Sequence, residues 1–249
     1  MSKLEPMSEH HCFALSVPSL EAIESSGKVV TEHSLLHRMH TILRLKAGDR
    51  CILFDDEYHI LCTIKEISSK RVVCELGSKT PHKQVHPPIE WLLPLLKREA
   101  FEEALYSLTE MGATSIQPLY TAKTARSWGS EKEYTRARAV MRAAAEQSKQ
   151  FVVPIIYPVK DIKELTSTGN SMRIFFDAEG MHLKEVLTQM GNPASFIGCV
   201  GPEGDLTHEE KQHLKDLGFV FCALTPTVLR SKQAIALGIG LLRSYYRAA

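Results

Sequence analysis

The sequence predicts an α/β protein with two domains, a small N-terminal β-barrel and a larger domain built on a parallel sheet. Short strand-like segments follow one another over about the first 85 residues, and from residue 89 onward strands alternate with helices. The stretch Pro81 to Pro88 separates the two patterns and suits a linker, because proline fixes φ and removes a hydrogen-bond donor. We therefore expect domains at residues 1–82 and 87–249 of this 249-residue chain, which is 44% apolar and can form both cores.

Three short segments predict the strands of the barrel. They are Arg50 to Phe54, Tyr58 to Ile67 and Arg71 to Leu76. Two turn-forming pairs, Asp55-Asp56 and Ser68-Ser69, separate these segments. Short strands at this spacing are typical of a small barrel.

The second domain begins with a predicted strand–helix–strand unit. Ile89 to Leu96 and Ser115 to Tyr120 are the strands, and apolar residues at helical spacing predict a helix from Ala100 to Met111, which Gly112 ends. Further strands are predicted at Arg173 to Asp177, Ser195 to Val200 and Phe219 to Leu224, and further helices at Glu131 to Lys149, Leu183 to Met190, His208 to Leu217 and Ser231 to Arg247. This alternation predicts a parallel sheet that is covered by helices on both faces.

Two of these helices carry additional signals. Thr207 and Glu210 form a capping box at the start of the helix from His208, which indicates a structural role for that turn. The last helix is apolar on nearly every side until its end, and it contains Gly238 and Gly240, which permit close backbone approach. Such a helix is expected either at a subunit interface or deep within one chain.

The net charge gives no indication of a nucleic-acid partner, because 30 basic and 29 acidic residues leave a formal charge of +1. One segment differs from this average. Between Thr121 and Lys149, seven basic residues stand against three acidic ones. This basic strip is either a phosphate-facing surface or an ordinary solvated helix face.

Membrane, secreted and metal-binding proteins are disfavoured. No apolar run reaches the roughly 18–20 residues of a membrane span and the polar N-terminus does not resemble a signal peptide, so we expect a cytoplasmic protein with no membrane partner. The six cysteines form no CxxC pair, which predicts free thiols and no zinc site. No further ligand stands near His33, His37 and His40, so we expect surface histidines rather than a metal site.

Two junctions between a strand and a loop are candidates for ligand binding, since no GxGxxG, P-loop or GxSxG motif occurs. They are residues 200–205 (VGPEGD) and residues 223–230 (ALTPTVLR). Ligands of open α/β sheets bind at the carboxyl ends of strands, where glycine lets the backbone approach a ligand closely. Tight turns explain the same residues equally well.

Six motifs follow one another in the order of one known family. They are His37 to Leu53 (HRMHTILRLKAGDRCIL), Thr109 to Ala113, Ala144 to Ser148, Val153-Pro154, Gly201 to Gly204 and Val228 to Arg230. Together they resemble the RsmE family, bacterial 16S rRNA (uracil-N3)-methyltransferases of the SPOUT superfamily. The resemblance covers nearly the whole chain. It implies an N-terminal PUA-like β-barrel for RNA, followed by a SPOUT α/β domain with a parallel sheet and a C-terminal deep trefoil knot.

The resemblance also implies a homodimer that binds S-adenosylmethionine and methylates N3 of a uridine in 16S rRNA of the small ribosomal subunit. The implied cofactor-binding residues lie in three loops. They are Phe176, Asp177, Glu179, Val200, Gly201, Pro202, Glu203, Gly204, Leu224, Thr225, Pro226, Val228 and Leu229.

Four residues of these loops and the following helix are candidates for the chemistry. A nearby cation favours a deprotonated uridine, so we place Arg230, with Lys232, on the base or its phosphate. Glu203 and Asp205 are the nearest candidates for the proton acceptor, although Glu203 is also suited to orient its loop by accepting backbone N–H groups. RNA contacts are expected from Arg38, His40, Arg44, Lys46, Lys97, Lys123, Arg126, Arg142 and Lys149.

Five positions depart from the family pattern. Asp205 and Thr225 stand where the family has glycine, Lys232 replaces a glutamate, Ser107 a lysine and Gln150 an arginine. These departures motivate an alternative, a non-catalytic RNA-binding or ribosome-assembly protein that retains the fold. A dimeric metabolite-binding α/β protein is a third alternative, and it predicts no RNA affinity at low salt.

Overall fold

The computed structural model describes residues 12–26, 29–167, 169–190 and 193–245. The chain divides into two compact units, each with a hydrophobic core of its own. The first unit comprises residues 1–83 together with 145–152, and the second comprises residues 84–144 and 153–249. The sequence prediction had assigned all of residues 87–249 to the second domain, so the segment 145–152 is a difference between prediction and structure.

The first unit is a five-stranded sheet with short helices. Its elements are β1 (Phe13–Ser16), α1 (Leu20–Ser25), β2 (Val29–Val30), α2 (His33–His37), a π-helical turn (Arg38–Ile42), β3 (Arg50–Phe54), β4 (Tyr58–Ile67) and β5 (Val72–Pro81). The strand order is β1-β3-β4-β5-β2, with β1 parallel to β3 and the other pairs antiparallel. In the described part of this unit the edge strands β1 and β2 do not pair, so the strands form an open sheet and not a closed ring.

Alternating side chains of the central strands build the core of this unit. Leu53, Ile60 and Ile64 are buried together with Leu36 and Met39 from the helical segment. Strands β3 and β4 have the predicted bounds, whereas β5 continues past the predicted end at Leu76 because its last residues still pair with the start of β4. All six cysteines are buried and unpaired.

The segment 145–152 is held to the first unit by an ion pair and by aromatic contacts. Arg38 donates two hydrogen bonds to the carboxylate of Glu146, at 2.9 and 2.5 Å, and the same carboxylate accepts the backbone N–H of Ser16. The ring of Phe151 lies 4.9 Å from that of Phe54 and 4.6 Å from that of His59, between centroids. These partners are far apart in the chain, which is why no local pattern predicted the contact.

The second unit alternates strands and helices. Its elements are β6 (Ile89–Pro94), α3 (Arg98–Glu110), β7 (Ser115–Tyr120), α4 (Glu131–Ser148, whose last residues belong to the first unit), β8 (Ile155–Ile156), β9 (Lys160–Asp161), a 3-10 turn (Ile162–Glu164), β10 (Met172–His182), α5 (Leu183–Met190), β11 (Phe196–Val200), α6 (His208–Asp216), β12 (Val220–Ala223) and α7 (Ser231–Tyr245). The strand order is β12-β10-β11-β6-β7-β8, with β9 also paired to β7. Every pair is parallel, which confirms the predicted sheet.

Side chains of this sheet alternate between two cores, one on each face. On β6, Trp91 and Leu93 pack with α3, α5 and α7, whereas Leu92 packs on the opposite face with Leu214 of α6. Burial on both faces explains why these strands are apolar almost throughout. The predicted helix starts are also present, since Thr207 accepts the N–H of Glu210 and completes the capping box of α6.

The C-terminal helix α7 is buried along one face and exposed along another. Ile235, Ile239 and Leu242 are fully buried, whereas Leu237 is 36% and Tyr245 48% exposed. The helix was expected to reach Arg247, and residues 246–249 lie outside the described residues. None of the helices in the described ranges is long and apolar enough to cross a membrane.

Arg243 fixes the end of α7. Its guanidinium donates to the backbone carbonyls of Pro87, Met111 and Gly112. Burial without an acidic partner lowers the pKa of Arg243 to about 10. The three carbonyls replace the water that this cation loses.

Candidate functional site

A cavity of about 790 Å³ lies at the carboxyl ends of the central strands of the second unit. Five segments border it: the start of α3, the end of β10, the β11–α6 loop, Lys211 of α6, and the β12–α7 loop with the start of α7. This is the edge at which open α/β sheets bind ligands. Both strand-to-loop junctions that the sequence singled out belong to it.

The β11–α6 loop is a tight turn that depends on one glycine and one aspartate. The backbone N–H of Asp205 donates to the carbonyl of Pro202 at 2.9 Å, and Asp205 has a φ of +57°, the left-handed conformation that glycine adopts most readily. Its Oδ1 would lie 2.7 Å from a Cβ atom placed on Gly201. A side chain at position 201 would therefore displace the Asp205 carboxylate from the place where it folds back.

Neighbouring segments hold this turn in place. The carboxylate of Glu203 accepts the backbone N–H of Lys97 at 3.2 Å, and Lys123 donates from Nζ to the carbonyl of Gly204 at 2.6 Å. Of the two roles considered for Glu203, the structure shows the hydrogen bond that orients the loop.

Lys211 of α6 connects two carboxylates at the cavity. Its Nζ lies 2.7 Å from Oδ2 of Asp177 and 2.7 Å from Oδ2 of Asp205. Burial by itself would raise the pKa of Asp177, but the Lys211 ammonium and the backbone N–H of Glu179 outweigh burial and lower it. Burial likewise opposes the charge of Lys211, yet the two carboxylates raise its pKa. Asp177 and Lys211 are therefore both charged at neutral pH.

The β12–α7 loop carries the most exposed groups of the cavity. Val228 is 85% exposed, and Arg230 is exposed at the end of the loop. Lys232, the second residue of α7, makes an ion pair with Glu103 of α3 at 2.5 Å. Arg230 thus presents its charge to the solvent, whereas the charge of Lys232 is compensated by an acidic neighbour.

Strand β10 passes β12 twice. Residues 174–176 pair with 220–222, residues 177–180 bulge outward, and Met181 and His182 then pair with Cys222 and Ala223. Gly180 sits where this bulge crosses β12, and a Cβ atom there would collide with the backbone of Phe221 and Cys222. The bulge places Asp177 and Glu179 at the cavity.

Most of the predicted cofactor-binding residues border the cavity, and so do the four candidates for the chemistry. Gly204 and Pro226 are not among the lining residues. The lining residues from the predicted sets are Phe176, Asp177, Glu179, Val200, Gly201, Pro202, Glu203, Asp205, Leu224, Thr225, Val228, Leu229, Arg230 and Lys232. Lys97, predicted for RNA, lines it as well, and Lys211 and Glu103 were missed because their partners are distant in sequence.

Several cations of the basic strip are engaged within the protein. Arg136 pairs with Glu102 at 2.7 Å and Arg138 pairs with Glu131 at 2.7 Å. Arg126 donates to the carbonyl of Leu96 at 3.0 Å. These three arginines and Lys123 therefore make contacts within the protein, whereas Arg142 is exposed.

The RNA candidates of the first unit also differ among themselves. Arg38 is engaged by Glu146, and His40, Arg44 and Lys46 are exposed. Lys149, with a φ of +58°, belongs to the segment that joins this unit.

Comparison with known proteins identifies the family. Residues 83–243 match the model of the RNA methyltransferase domain, and residues 40–77 match the RNA methyltransferase PUA domain. The chain belongs to this RNA methyltransferase family. The first match covers well over half of the chain, including every residue that lines the cavity.

Curated relatives carry the name expected from the motifs. Ribosomal RNA small subunit methyltransferase E of Mycobacterium bovis is 26% identical over 211 residues, which are 80% of each chain. The protein of the same name from Synechocystis is 25% identical over 89% of this chain and 74% of its own. The resemblance to the RsmE family is confirmed.

Solved structures share the fold. Ribosomal RNA small subunit methyltransferase E of Neisseria gonorrhoeae, crystallised with S-adenosyl methionine, superposes with a TM-score of 0.81 at 19% identity, over 95% of this chain and 98% of that one. A methyltransferase of Legionella pneumophila with bound cofactor gives a TM-score of 0.78 at 18% identity, over 94% and 98%. These matches confirm the α/β class.

Proposed function

We propose that this protein is an S-adenosylmethionine-dependent methyltransferase that methylates N3 of a uridine in 16S rRNA of the small ribosomal subunit. The observation that carries the proposal is the cavity at the carboxyl ends of β10, β11 and β12. Its walls come from the three loops that the family resemblance assigns to the cofactor.

The residues present fit this cofactor. The volume of about 790 Å³ is within the usual range of roughly 300–1,000 Å³ for small-molecule sites. Phe176, Leu224 and Leu229 offer apolar surface for a purine ring, and Asp177 and Glu179 offer carboxylates for hydroxyl and cationic groups. When bound, the cofactor supplies an electrophilic methyl group on a positively charged sulfur.

The chain's own contribution is to position the uridine and to favour transfer of its N3 proton to solvent water. Arg230 is exposed at the cavity, so its guanidinium is available to the base or to the neighbouring phosphate. A cation in this position stabilises the deprotonated base. Holding the nucleophile against the methyl carbon is a proximity effect that needs no covalent intermediate.

The remaining candidates for the chemistry act by holding this geometry. Glu203 orients the β11–α6 loop through the Lys97 N–H, and Lys232 is paired with Glu103. Asp205 is tied to Lys211. We therefore assign Arg230 the direct contact with RNA and the other three residues supporting roles.

The RNA must present an unpaired or flipped uridine, because base pairing occupies the N3 edge. His40, Arg44 and Lys46 of the first unit are exposed and suit contacts to phosphates. Lys97 adds a cation at the cavity itself. A substrate of this kind is found in the cytoplasm, where we place the protein.

We further propose a homodimer and a deep trefoil knot. The exposed side of α7 supports an interface between copies, because Leu237 and Tyr245 lie eight residues apart and so share one face of the helix. The bulge of β10, before and after which this strand pairs with β12 at Cys222, supports the knot.

The non-catalytic alternative was motivated by departures from the family pattern, and the structure gives two of them a place in the site. Asp205 adopts the left-handed backbone conformation that glycine would adopt, and Lys232 makes an ion pair with Glu103. Calorimetry with S-adenosylmethionine separates the two functions. Micromolar binding is the expected result, and absence of binding by folded protein would favour the non-catalytic role.

A further inference from the structure

Lys211 lies between the bulge of β10 at residues 177–180 and the β11–α6 loop, and its ammonium group contacts a carboxylate from each of these two loops. We infer that Lys211 is a positioning residue that holds these loops in the cofactor-binding geometry. Asp205 is its partner in the place of a family glycine. The inference rests on the proposed function, since it concerns the same cavity.

The geometry ties three elements together through one atom. Nζ of Lys211 lies 2.7 Å from Asp177 and 2.7 Å from Asp205, and Asp177 accepts the backbone N–H of Glu179 at 3.0 Å. The side chains of Lys211 and Asp177 are only 23% and 11% exposed, so salt screens this pair less than a surface pair. The turn at 177–179 and the turn at 202–205 are thereby joined to α6.

Asp205 does two things that a glycine cannot do together. It keeps the left-handed backbone that the turn requires, and its Oδ2 provides the second anchor for Lys211. Its Oδ1 accepts the backbone N–H of Leu206 at 2.8 Å, which fixes the side chain in this orientation. The departure at this position therefore adds a restraint to the loop.

The restraint acts on binding of the cofactor. Loops that are ordered before binding lose less conformational entropy when a ligand arrives, and the affinity rises accordingly. Lys211 does not belong to the exposed cations proposed for RNA. Its removal is therefore expected to raise the KM for the cofactor and to leave kcat nearly unchanged.

A matched control lies on the same helix. Lys215 is exposed, its Nζ lies 5.2 Å from the ring centroid of Phe221, and it does not line the cavity. A Lys215→Met variant removes the same charge and the same number of donors from α6 and leaves both ion pairs of Lys211 in place, so that it controls for the weaker field by which Lys215 also lowers the pKa of Asp177.

The test is calorimetry with S-adenosylmethionine, together with an assay of methyl transfer to small-subunit RNA. Both are carried out on the wild-type protein and on five variants: Lys211→Met, Lys211→Arg, Asp205→Gly, the Lys211→Met/Asp205→Gly double variant and Lys215→Met. Lys211→Met is expected to weaken cofactor binding about tenfold, with kcat within about twofold of wild type. Lys211→Arg is expected to restore most of the affinity, and Lys215→Met to bind like wild type. Lys211→Met is expected to reduce the cofactor affinity less in the Asp205→Gly background, because one of the two partners of Lys211 is already missing there.

Four outcomes would overturn the inference. Wild-type affinity in Lys211→Met would show that the bridge does not matter, and an equal loss in both backgrounds would show that Lys211 does not act through Asp205. A loss of kcat with an unchanged cofactor KM would also contradict it. If the wild-type protein itself binds no cofactor, the proposed function fails first, which distinguishes that result from the others. If Lys211→Met does not fold, the cofactor affinities of Lys211→Arg and Asp205→Gly still test the inference. Wild-type affinity for the cofactor in Asp205→Gly contradicts it.

Discussion

The carboxylate of Glu203 accepts a hydrogen bond from the backbone N–H of Lys97, 3.2 Å away, and thereby joins the β11–α6 loop to the start of α3. A glutamine keeps the acceptor oxygen but is not a base. Glu203→Gln should therefore keep the methylation rate within about threefold of wild type, and Glu203→Ala should lose about tenfold. Single-turnover methylation measures both. A loss of 10²–10⁴-fold in the glutamine variant would instead indicate general-base catalysis.

Arg230 is the exposed cation at the cavity mouth. Arg230→Ala should lower the methylation rate about a hundredfold, because the developing negative charge on the base loses its partner. Its RNA affinity should fall as well, with a salt dependence reduced by about one charge. Filter binding at several salt concentrations measures this, with the exposed Lys163→Ala as control. Unchanged methylation and RNA binding would remove Arg230 from the site.

Gly238 and Gly240 of α7 differ in the space around them. A Cβ atom on Gly238 would lie 2.8 Å from Phe176 and 3.1 Å from Trp91, whereas on Gly240 the nearest atom is 3.5 Å away. Gly238→Ala should destabilise the protein by about 1–3 kcal/mol, and Gly240→Ala should be neutral or stabilise it by up to about 1 kcal/mol. Urea unfolding of the two variants tests this. Equal effects would contradict the packing described for α7.

Arg38 was predicted to bind RNA, and the structure engages it with Glu146 instead. Arg38→Ala should lower the free energy of unfolding by about 1–2 kcal/mol, because it leaves a largely buried carboxylate without its partner. Lys46→Ala, at an exposed position, should leave stability unchanged and weaken RNA binding. The reverse pattern in thermal melts and binding assays would restore Arg38 to the RNA-binding set.

The lowered pKa of Asp177 predicts how the site responds to acid. A carboxylate with a lower pKa in the folded state adds stability above its unfolded pKa of about 3.9, and this stability is lost as the pH falls through the folded value. The stability difference between wild type and Asp177→Asn should therefore be constant at neutral pH and shrink below about pH 4. A difference that stays constant into strong acid would contradict the ion pair with Lys211.

Local patterns predicted the parts of the fold that depend on local forces. The alternation of apolar and polar residues around Leu53 and Ile60 predicted β3 and β4, and Thr207 predicted the start of α6. The short strands β1, β2, β8 and β9 were not predicted, because two to four residues carry too little periodicity. The bounds of the longer helices were predicted to within a few residues.

Contacts between distant residues were beyond these patterns. Arg38 and Glu146 are 108 positions apart, and their ion pair is one of the contacts that connect residues 145–152 to the first unit. The excess of basic residues in the basic strip was predicted correctly, but the pairing of Arg136 with Glu102, which lies on another helix, was not predicted. Lys211 was missed for the same reason, since Asp177 stands 34 positions before it.

The most direct test of the central claim is mass spectrometry of nucleosides from 16S rRNA, isolated from cells with the gene, without it, and with it restored. If the protein methylates N3 of uridine, N3-methyluridine is expected to disappear without the gene and to return with the wild-type gene. With the Arg230→Ala gene it is expected not to return to its full level. An unchanged amount of N3-methyluridine in cells without the gene would contradict the account.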